Sequence, residues 1–550
     1  MSTHLLRRLL APLSAAGLLT GALFWFAALS PSLIPRGGML QGAIGGLCFG
    51  IGYAITAVAA SLWQWLGFPV ARQSLRGLIR KFATFAALGL LLMAAFLADG
   101  WQNDVRTALD MPPAEAGWPF ILLAVGVGLI LLLLLAGRVF LALTDVFRAL
   151  LRRILPFRAA ALLAACFAAW VFWAVGNGFL LEAVLRGLDS SYRRVDALIP
   201  AEEQRPADPL KSGSAASLLS WDQLGREGRR RVLSSPAASE ISRITGQPAM
   251  DPLLVYVGLN SAETPEARAA LALAEMERIG AFKRKLLVIA TPTGTGWVDP
   301  AGMLPLEVMH GGDVASVSVQ YSYLPSWLTL FVDPVYGEET ANAVFEAIYG
   351  HWRAIPKAER PRLFLFGLSL GSLNSDLASD AYSVLGDPFE GALWAGPPFA
   401  SRTWPQVTST RRASSPAWLP QARHAGVFRF YTAENREQLH EPGWGPVKLL
   451  YLQYPSDPIT FFETGMWRRE PDWMKAPRGP GLSPALTWLP GISFIQLAFD
   501  MMTATTVPKG RGHVFAARDY AEGWRALTAP EDFDDAAMGK LNEWLAERGL

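Results

Sequence analysis

The sequence predicts an all-α transmembrane bundle of about five helices, followed by an α/β domain whose mostly parallel sheet is flanked by helices. Three observations carry this. Of 550 residues, 51% are hydrophobic, and they crowd into the first third of the chain. Five stretches there are long enough to cross a hydrocarbon core of about 30 Å, which takes roughly 20 helical residues. Beyond residue 250, short apolar runs alternate with segments of helical spacing, the pattern of a sheet covered on both faces. The expected domains are 1–185 for the bundle, 186–250 for a linker with a short helix, and 251–550 for the α/β domain. A net charge of +2 without a basic block argues against nucleic acid as a partner. The only cysteines, Cys48 and Cys166, lie in apolar runs, so no disulfide framework follows.

The expected spans lie near 9–29, 40–66, 83–98, 119–137 and 159–181, none with a charge at its middle. The first, preceded by Arg7 and Arg8, has the layout of a signal peptide. Its apolar run is longer than the usual one and further spans follow, so a retained anchor is expected. Arg72, Arg76, Arg80 and Lys81 separate the second and third spans, and Arg148, Arg152, Arg153 and Arg158 the fourth and fifth. The alternate loops hold only Arg36, and Arg106 among Asp99, Asp104, Asp110 and Glu115. The positive-inside rule then puts the N-terminus in the cytoplasm and everything after Leu180 outside. Gly42, Gly46 and Gly50 recur every fourth residue, a spacing for close helix approach within the bundle or, alternatively, in a dimer. The spans lack the ionisable residues of ion or proton pathways, which disfavours a transporter.

In the second part, PLLVYVGL, KLLVIA, VASVSVQYS, RLFLFG, GALWAG, GVFRFYT and VKLLYLQY read as strands. TPEARAALALAEMERIG, ETANAVFEAIYGHWRAI and SLNSDLASDAYSVLG read as helices. Between a strand and a helix stands GLSLG, Gly367 to Gly371. A glycine-rich turn with a capping serine would look like this. So would a nucleophile elbow, in which a turn too tight for side chains at either glycine exposes the serine hydroxyl above a helix N-terminus. The context favours the elbow, with Ser369 as nucleophile.

A serine nucleophile needs a base, and the base an orienting acid. Such triads on strand-to-helix elbows run serine, acid, histidine. Asp457 directly follows the strand VKLLYLQY, although before Pro458 it could simply start a turn. Of the later histidines His424, His440 and His513, only His513 lies downstream of Asp457; a surface-loop histidine is the plainer alternative. The oxyanion needs two backbone donors. Leu370 is expected to supply one, and Thr295, Gly296 and Trp297, in ATPTGTGWVDP after KLLVIA, the other. TGTG also resembles a phosphate loop, but it lacks both a third fingerprint glycine and GK[ST]. His310 in HGGD has no companion at metal-ligand spacing. No cofactor and no metal are expected.

These stretches resemble a family of bacterial membrane-anchored alpha/beta-hydrolases with an N-terminal multi-span domain. The resemblance is carried by SLIPR from Ser32, VYVGLNSAETPEARAALALAEMERIGAF, VIATPTGTGWVDP, QYSYLPSWL, LFLFGLSLGS, GALWAGPPF, LYLQYPSDPI and the Gly512–His513 pair, covering most of the chain. It implies an α/β-hydrolase fold with Ser369, Asp457 and His513 as triad, and a lipase- or esterase-like role. Members often have glutamate before the serine, where this chain has Leu368, a change expected to alter pocket polarity. The expected location is the bacterial inner membrane, with the catalytic domain periplasmic or extracellular.

Between Asp457 and His513 a long insertion mixes Trp467, Trp473 and Trp488 with Arg468, Arg469 and Lys475, a composition suited to a bilayer interface. QYSYLPSWLTLF, around Trp327, adds a second apolar loop. Either these segments pack as a lid over the sheet, or they form a cap facing the outer leaflet that admits an acyl chain. The expected partner is then a membrane lipid or acylated envelope substrate. One acyl-enzyme would serve an esterase or lipase, an acyltransferase or a peptidase. A catalytically silent envelope scaffold is the alternative of another class.

Overall fold

The computed structural model describes residues 12–69, 72–176, 195–196, 198, 203–326, 328–329, 336–379, 386–423 and 426–550. Arg7, Arg8, Trp327 and His424, singled out in the sequence, lie outside the described residues. The chain forms two compact units: Met1–Gly187 with Thr464–Met474 and Leu482–Thr503, and Leu188–Glu463 with Lys475–Gly481 and Ala504–Leu550.

The first unit contains α1 (Ala15–Ala28), α2 (Gly38–Trp65), α3 (Gln73–Ala108), α4 (Trp118–Leu151) and α5 (Phe157–Trp173). Among the described residues, four helices rather than the expected five are long and apolar enough to cross a membrane: Gly38–Trp65, Leu75–Ala108, Trp118–Leu151 and Phe157–Gly176. The expected first span is described only as the 14-residue α1, about 21 Å long at 1.5 Å per residue. The Ser14 side chain caps it by accepting from Gly17 N, and Ser14 N donates to the Tyr53 hydroxyl. The described part of α1 therefore begins level with the middle of α2.

The glycines of α2 are used within the chain. A Cβ on Gly42 would lie 2.5 Å from the Leu122 carbonyl oxygen, one on Gly46 2.9 Å from that of Gly126, and one on Gly50 2.7 Å from Leu133 Cδ1. That face packs α4 at backbone distance, while the Trp25 ring of α1 lies where a Cβ on Gly45 or Gly126 would stand.

The SLIPR stretch forms a buried polar knot in this unit with the helix Ile492–Asp500. Arg36 Nε lies 2.6 Å from Asp500 Oδ1, Nη1 donates to Gln41 and Nη2 to the Gln496 carbonyl. Ser32 Oγ and Leu33 N donate to Asp500 Oδ2. Arg36's own backbone is held by Gln102 and Trp118. Burying a charge is costly unless it is paired and hydrogen-bonded; Arg36 and Asp500 are both. Most of the insertion between Asp457 and His513 thus belongs to the helical unit. Within it Trp473 is buried, Trp488 half-buried, and Trp467 exposed beside Arg468.

The second unit begins with α6 (Gly225–Ser234) and α7 (Ala238–Thr245). Where the sequence suggested a linker with one short helix, two helices form. Their residues Val232, Ile241 and Ile244 are buried, and Arg231 of α6 pairs with buried Glu307. The alternation then follows as β1 (Leu253–Val257), α8 (Pro265–Ile279), β2 (Leu286–Thr291), α9 (Pro300–Met309), β3 (Val314–Val319), α10 (Tyr336–Ala354), β4 (Arg362–Leu368) and α11 (Leu370–Ala378). β5 (Gly391–Ala395), β6 (Phe428–Tyr431), β7 (Lys448–Leu452), α12 (Ala517–Thr528) and α13 (Asp535–Glu547) complete it.

All seven expected strands are present, in one sheet of order β1-β3-β2-β4-β5-β7-β6 with every pairing parallel. β1 and β3 are buried throughout; β1 is the continuous apolar run expected of a strand covered on both faces, whereas β3 alternates and buries Ser316 and Ser318. One set of mutually packed helices comprises α8, α10 and α11; another comprises α7, α9, α12 and α13. β4 is the central strand, and its C-terminal end opens into GLSLG.

Candidate active site

GLSLG turns directly from β4 into α11. Ser369 sits between them at φ 57°, ψ −126°, a combination that costs a non-glycine residue of order 1–3 kcal/mol. Its backbone is held on both sides. Ser369 N donates to the Ala395 carbonyl of β5 at 2.9 Å. A Cβ on Gly367 would lie 2.4 Å from the Gly371 carbonyl carbon, and one on Gly371 2.3 Å from the Thr291 oxygen. The two glycines are therefore where a strand, a turn and a helix converge too closely for side chains. Ser369 is held at the carboxyl edge of the sheet, the usual ligand edge of open α/β sheets.

Asp457 follows β7, two strands away from β4. It is fully buried; its Oδ1 accepts from Ile459 N at 2.9 Å and its Oδ2 from Thr460 Oγ1 at 3.1 Å. Oδ2 also lies 2.7 Å from His513 Nδ1. A carboxylate so placed selects the tautomer with the proton on Nδ1 and leaves Nε2 with its lone pair. Nε2 is buried and has no hydrogen-bond partner among the described residues. The imidazole packs on the backbone beside the elbow: a Cβ on Gly396, which follows the Ala395 that holds Ser369 N, would stand 2.5 Å from His513 Cε1. Gly396 adopts φ +51° there. Asp457, after β7, and His513, on the loop before α12, thus meet beside the Ala395–Gly396 backbone that holds Ser369 N. His440 is exposed on a short helix.

Leu370 is the first residue of α11, where backbone N–H groups have no acceptor inside the helix and the dipole favours negative charge. Residues 293–297 form a tight turn: Thr293 N donates to the Trp297 carbonyl and Gly296 N to that of Thr293. The Gly296 amide is thereby engaged within the turn itself. From outside, the Tyr256 hydroxyl donates to the Gly296 carbonyl at 2.6 Å, and Gln320 Nε2 to that of Thr295 at 3.2 Å.

His310 is remote in character from this site. Its Nε2 meets Thr528 Oγ1 at 2.9 Å, and burial, with Arg362 and Lys285 adding to it, pushes its pKa down to about 3. Asp299, which sequence reasoning passed over, caps α9 by accepting from Ala301 N. Its burial drives the carboxyl up to about 7. Tyr454 and Ser456 were also missed, though both stand within the quoted LYLQYPSDPI; hydroxyls immediately before the candidate acid were the available signal.

Comparison with known proteins agrees with this fold. Residues 253–541 match the model described as "Alpha/beta-hydrolase family", and residues 29–236 match "Alpha/beta-hydrolase family N-terminus". No curated protein and no solved structure matches the chain. With more than half its length matched, a parallel sheet of seven strands and an N-terminal helical region, the chain belongs to the alpha/beta-hydrolase family.

Proposed function

We propose that the protein is a membrane-bound serine hydrolase of the esterase or lipase type, cleaving a lipid or envelope acyl ester through an acyl-enzyme on Ser369. The observation that carries this reading is the strained Ser369 beside a buried, carboxylate-oriented imidazole whose Nε2 is unpartnered. In the proposed reaction Ser369 Oγ attacks the ester carbonyl while His513 Nε2 takes its proton. The collapsing tetrahedral intermediate expels the alcohol, which receives that proton. Water then repeats the sequence on the acyl-enzyme, releasing the acid and restoring Ser369. Asp457 holds the Nδ1 proton and stabilises the transient imidazolium.

The oxyanion is assigned to the Leu370 amide and, from the 293–297 turn, to that of Thr295 or Trp297, since Gly296 N is engaged within the turn. Preorganised donors of this kind are worth about 2.7–4 kcal/mol each in transition-state stabilisation. An acyl ester of the membrane is favoured as substrate because the described residues include four helices of spanning length and an exposed Trp467 beside Arg468.

A fluorophosphonate probe applied to the full chain in detergent tests the reading. Wild type is expected to be labelled, Ser369→Ala is not, and turnover of a short p-nitrophenyl ester is expected to fall by several orders of magnitude in Ser369→Ala. Equal labelling of both proteins would refute Ser369 as nucleophile. Adding glycerol separates hydrolysis from acyl transfer: free acid alone is the expected product.

A further inference from the structure

The loop after β7 carries Asp457, and the loop before α12 carries His513. Besides the His513–Asp457 contact, two side chains of the first loop tie the second down on both sides of the histidine. Ser456 Oγ accepts from Gly512 N at 2.9 Å. The Tyr454 hydroxyl accepts from Ala516 N at 3.1 Å and donates to Asp519 Oδ2 at 2.6 Å. Asp519 is in turn paired with Arg436 at 2.5 Å. The Tyr454 ring stacks on Phe515 with centroids 4.6 Å apart, and Phe515 meets the His513 ring edge-on at 5.5 Å. Tyr454 and Ser456 are buried, as are the amides they serve.

We propose that Tyr454 and Ser456 are positioning residues that fix the His513 loop against the Asp457 loop, so that Nε2 stands where the Ser369 proton must go. The inference rests on the serine-hydrolase reading. Its physical basis is that the imidazole rides on the backbone of 512–516. The Asp457 contact fixes one ring nitrogen, and where the other stands depends on the backbone that carries the ring. The amides at 512 and 516 anchor that backbone, each through a single hydroxyl, on either side of the bond from His513 N to the Ala504 carbonyl. Tyr454 uses its oxygen in two directions at once, which phenylalanine cannot imitate while keeping the stack on Phe515.

The experiment compares Ser456→Ala, Ser456→Thr and Tyr454→Phe with wild type, each as the full chain in lipid nanodiscs, on a soluble p-nitrophenyl ester. Ser456→Ala and Tyr454→Phe are expected to lower kcat by about ten- to a hundredfold, as small misplacements of catalytic groups do, with KM within twofold. Ser456→Thr, which retains the hydroxyl, is expected to recover most of the lost kcat. Unchanged kcat in both hydroxyl-deleted variants would overturn the proposal. So would a loss that tracks the thermal midpoint and is not recovered in Ser456→Thr, since that marks a purely structural role. If wild type and Ser369→Ala are equally inactive towards ester and fluorophosphonate, the parent reading fails instead, and this inference with it.

Discussion

Gly396 limits how near the His513 imidazole can come to the edge of β5. At φ +51°, with a Cβ destined to lie 2.5 Å from His513 Cε1, the position tolerates no side chain unless the ring moves. Gly396→Ala is therefore expected to displace the base by a large fraction of an ångström and lower kcat by about a hundredfold, measured on the same soluble ester. Asp299 gives a different residue-scale prediction. Its carboxyl is carried from an ordinary 3.8 to about 7 by burial, so the folded state holds the proton more tightly than the unfolded chain. Its contribution is complete below about pH 4, is lost as pH rises towards 7, and is flat above. Asp299→Asn keeps a capping side chain and removes the titration. Its stability relative to wild type should thus grow by a few kcal/mol between pH 4 and 7, read as the difference between two thermal-melt series. Parallel melt curves would refute it. At this scale Ser369, Asp457 and His513 were readable as candidates because strand-end chemistry leaves a motif and an order along the chain. Asp299, Tyr454 and Ser456 were not, because what distinguishes them is a partner fixed only by folding.

Among the elements, the seven strands could be read because most are apolar runs, the local signal of burial on both faces, while β6 and the second half of β3 keep β-branched or aromatic residues at every second position. Before β1 only one short helix was expected, where α6 and α7 both form. α6 is polar and arginine-rich, and its Arg229 and Arg231 are buried by pairing with Glu203 and Glu307, compensation that no periodicity announces; α7 is only eight residues long. The glycine stripe of α2 was legible as a contact surface, but its partner was not; it is α4 of the same chain. Gly42→Leu would drive a side chain into the Leu122 carbonyl. It is expected to cost at least the 1–3 kcal/mol typical of overpacking, lowering the thermal midpoint in detergent by several degrees. Gly128→Leu, on the open face of α4 where a Cβ meets nothing within 4 Å, should leave it nearly unchanged. Equal effects from the two would mean that the stripe is not the packing surface described.

For the whole molecule, the number of spans matters less to orientation than the order of the loops. The expected span 9–29 begins among residues outside the described ones, and its described part is the 14-residue α1. The side on which the chain emerges from α5 does not depend on it. The two basic loops, α2 to α3 and α4 to α5, lie on one side of three consecutive helices of spanning length. α5 begins in the second basic loop, so a chain crossing once more along it emerges on the opposite side. The α3-to-α4 loop and the Arg36 knot with Asp500 are at that opposite end, since Gln102 and Trp118 from the ends of α3 and α4 hold Arg36. This order of loops leads to the hypothesis of a catalytic unit outside the cytoplasm. In a variant with Cys48 and Cys166 replaced by serine, a cysteine at Glu115 should react with a membrane-impermeant maleimide in intact cells. One at Arg153 should react only after permeabilisation. The reverse pattern would place Ser369 on the cytoplasmic side and require its substrate to come from the inner leaflet.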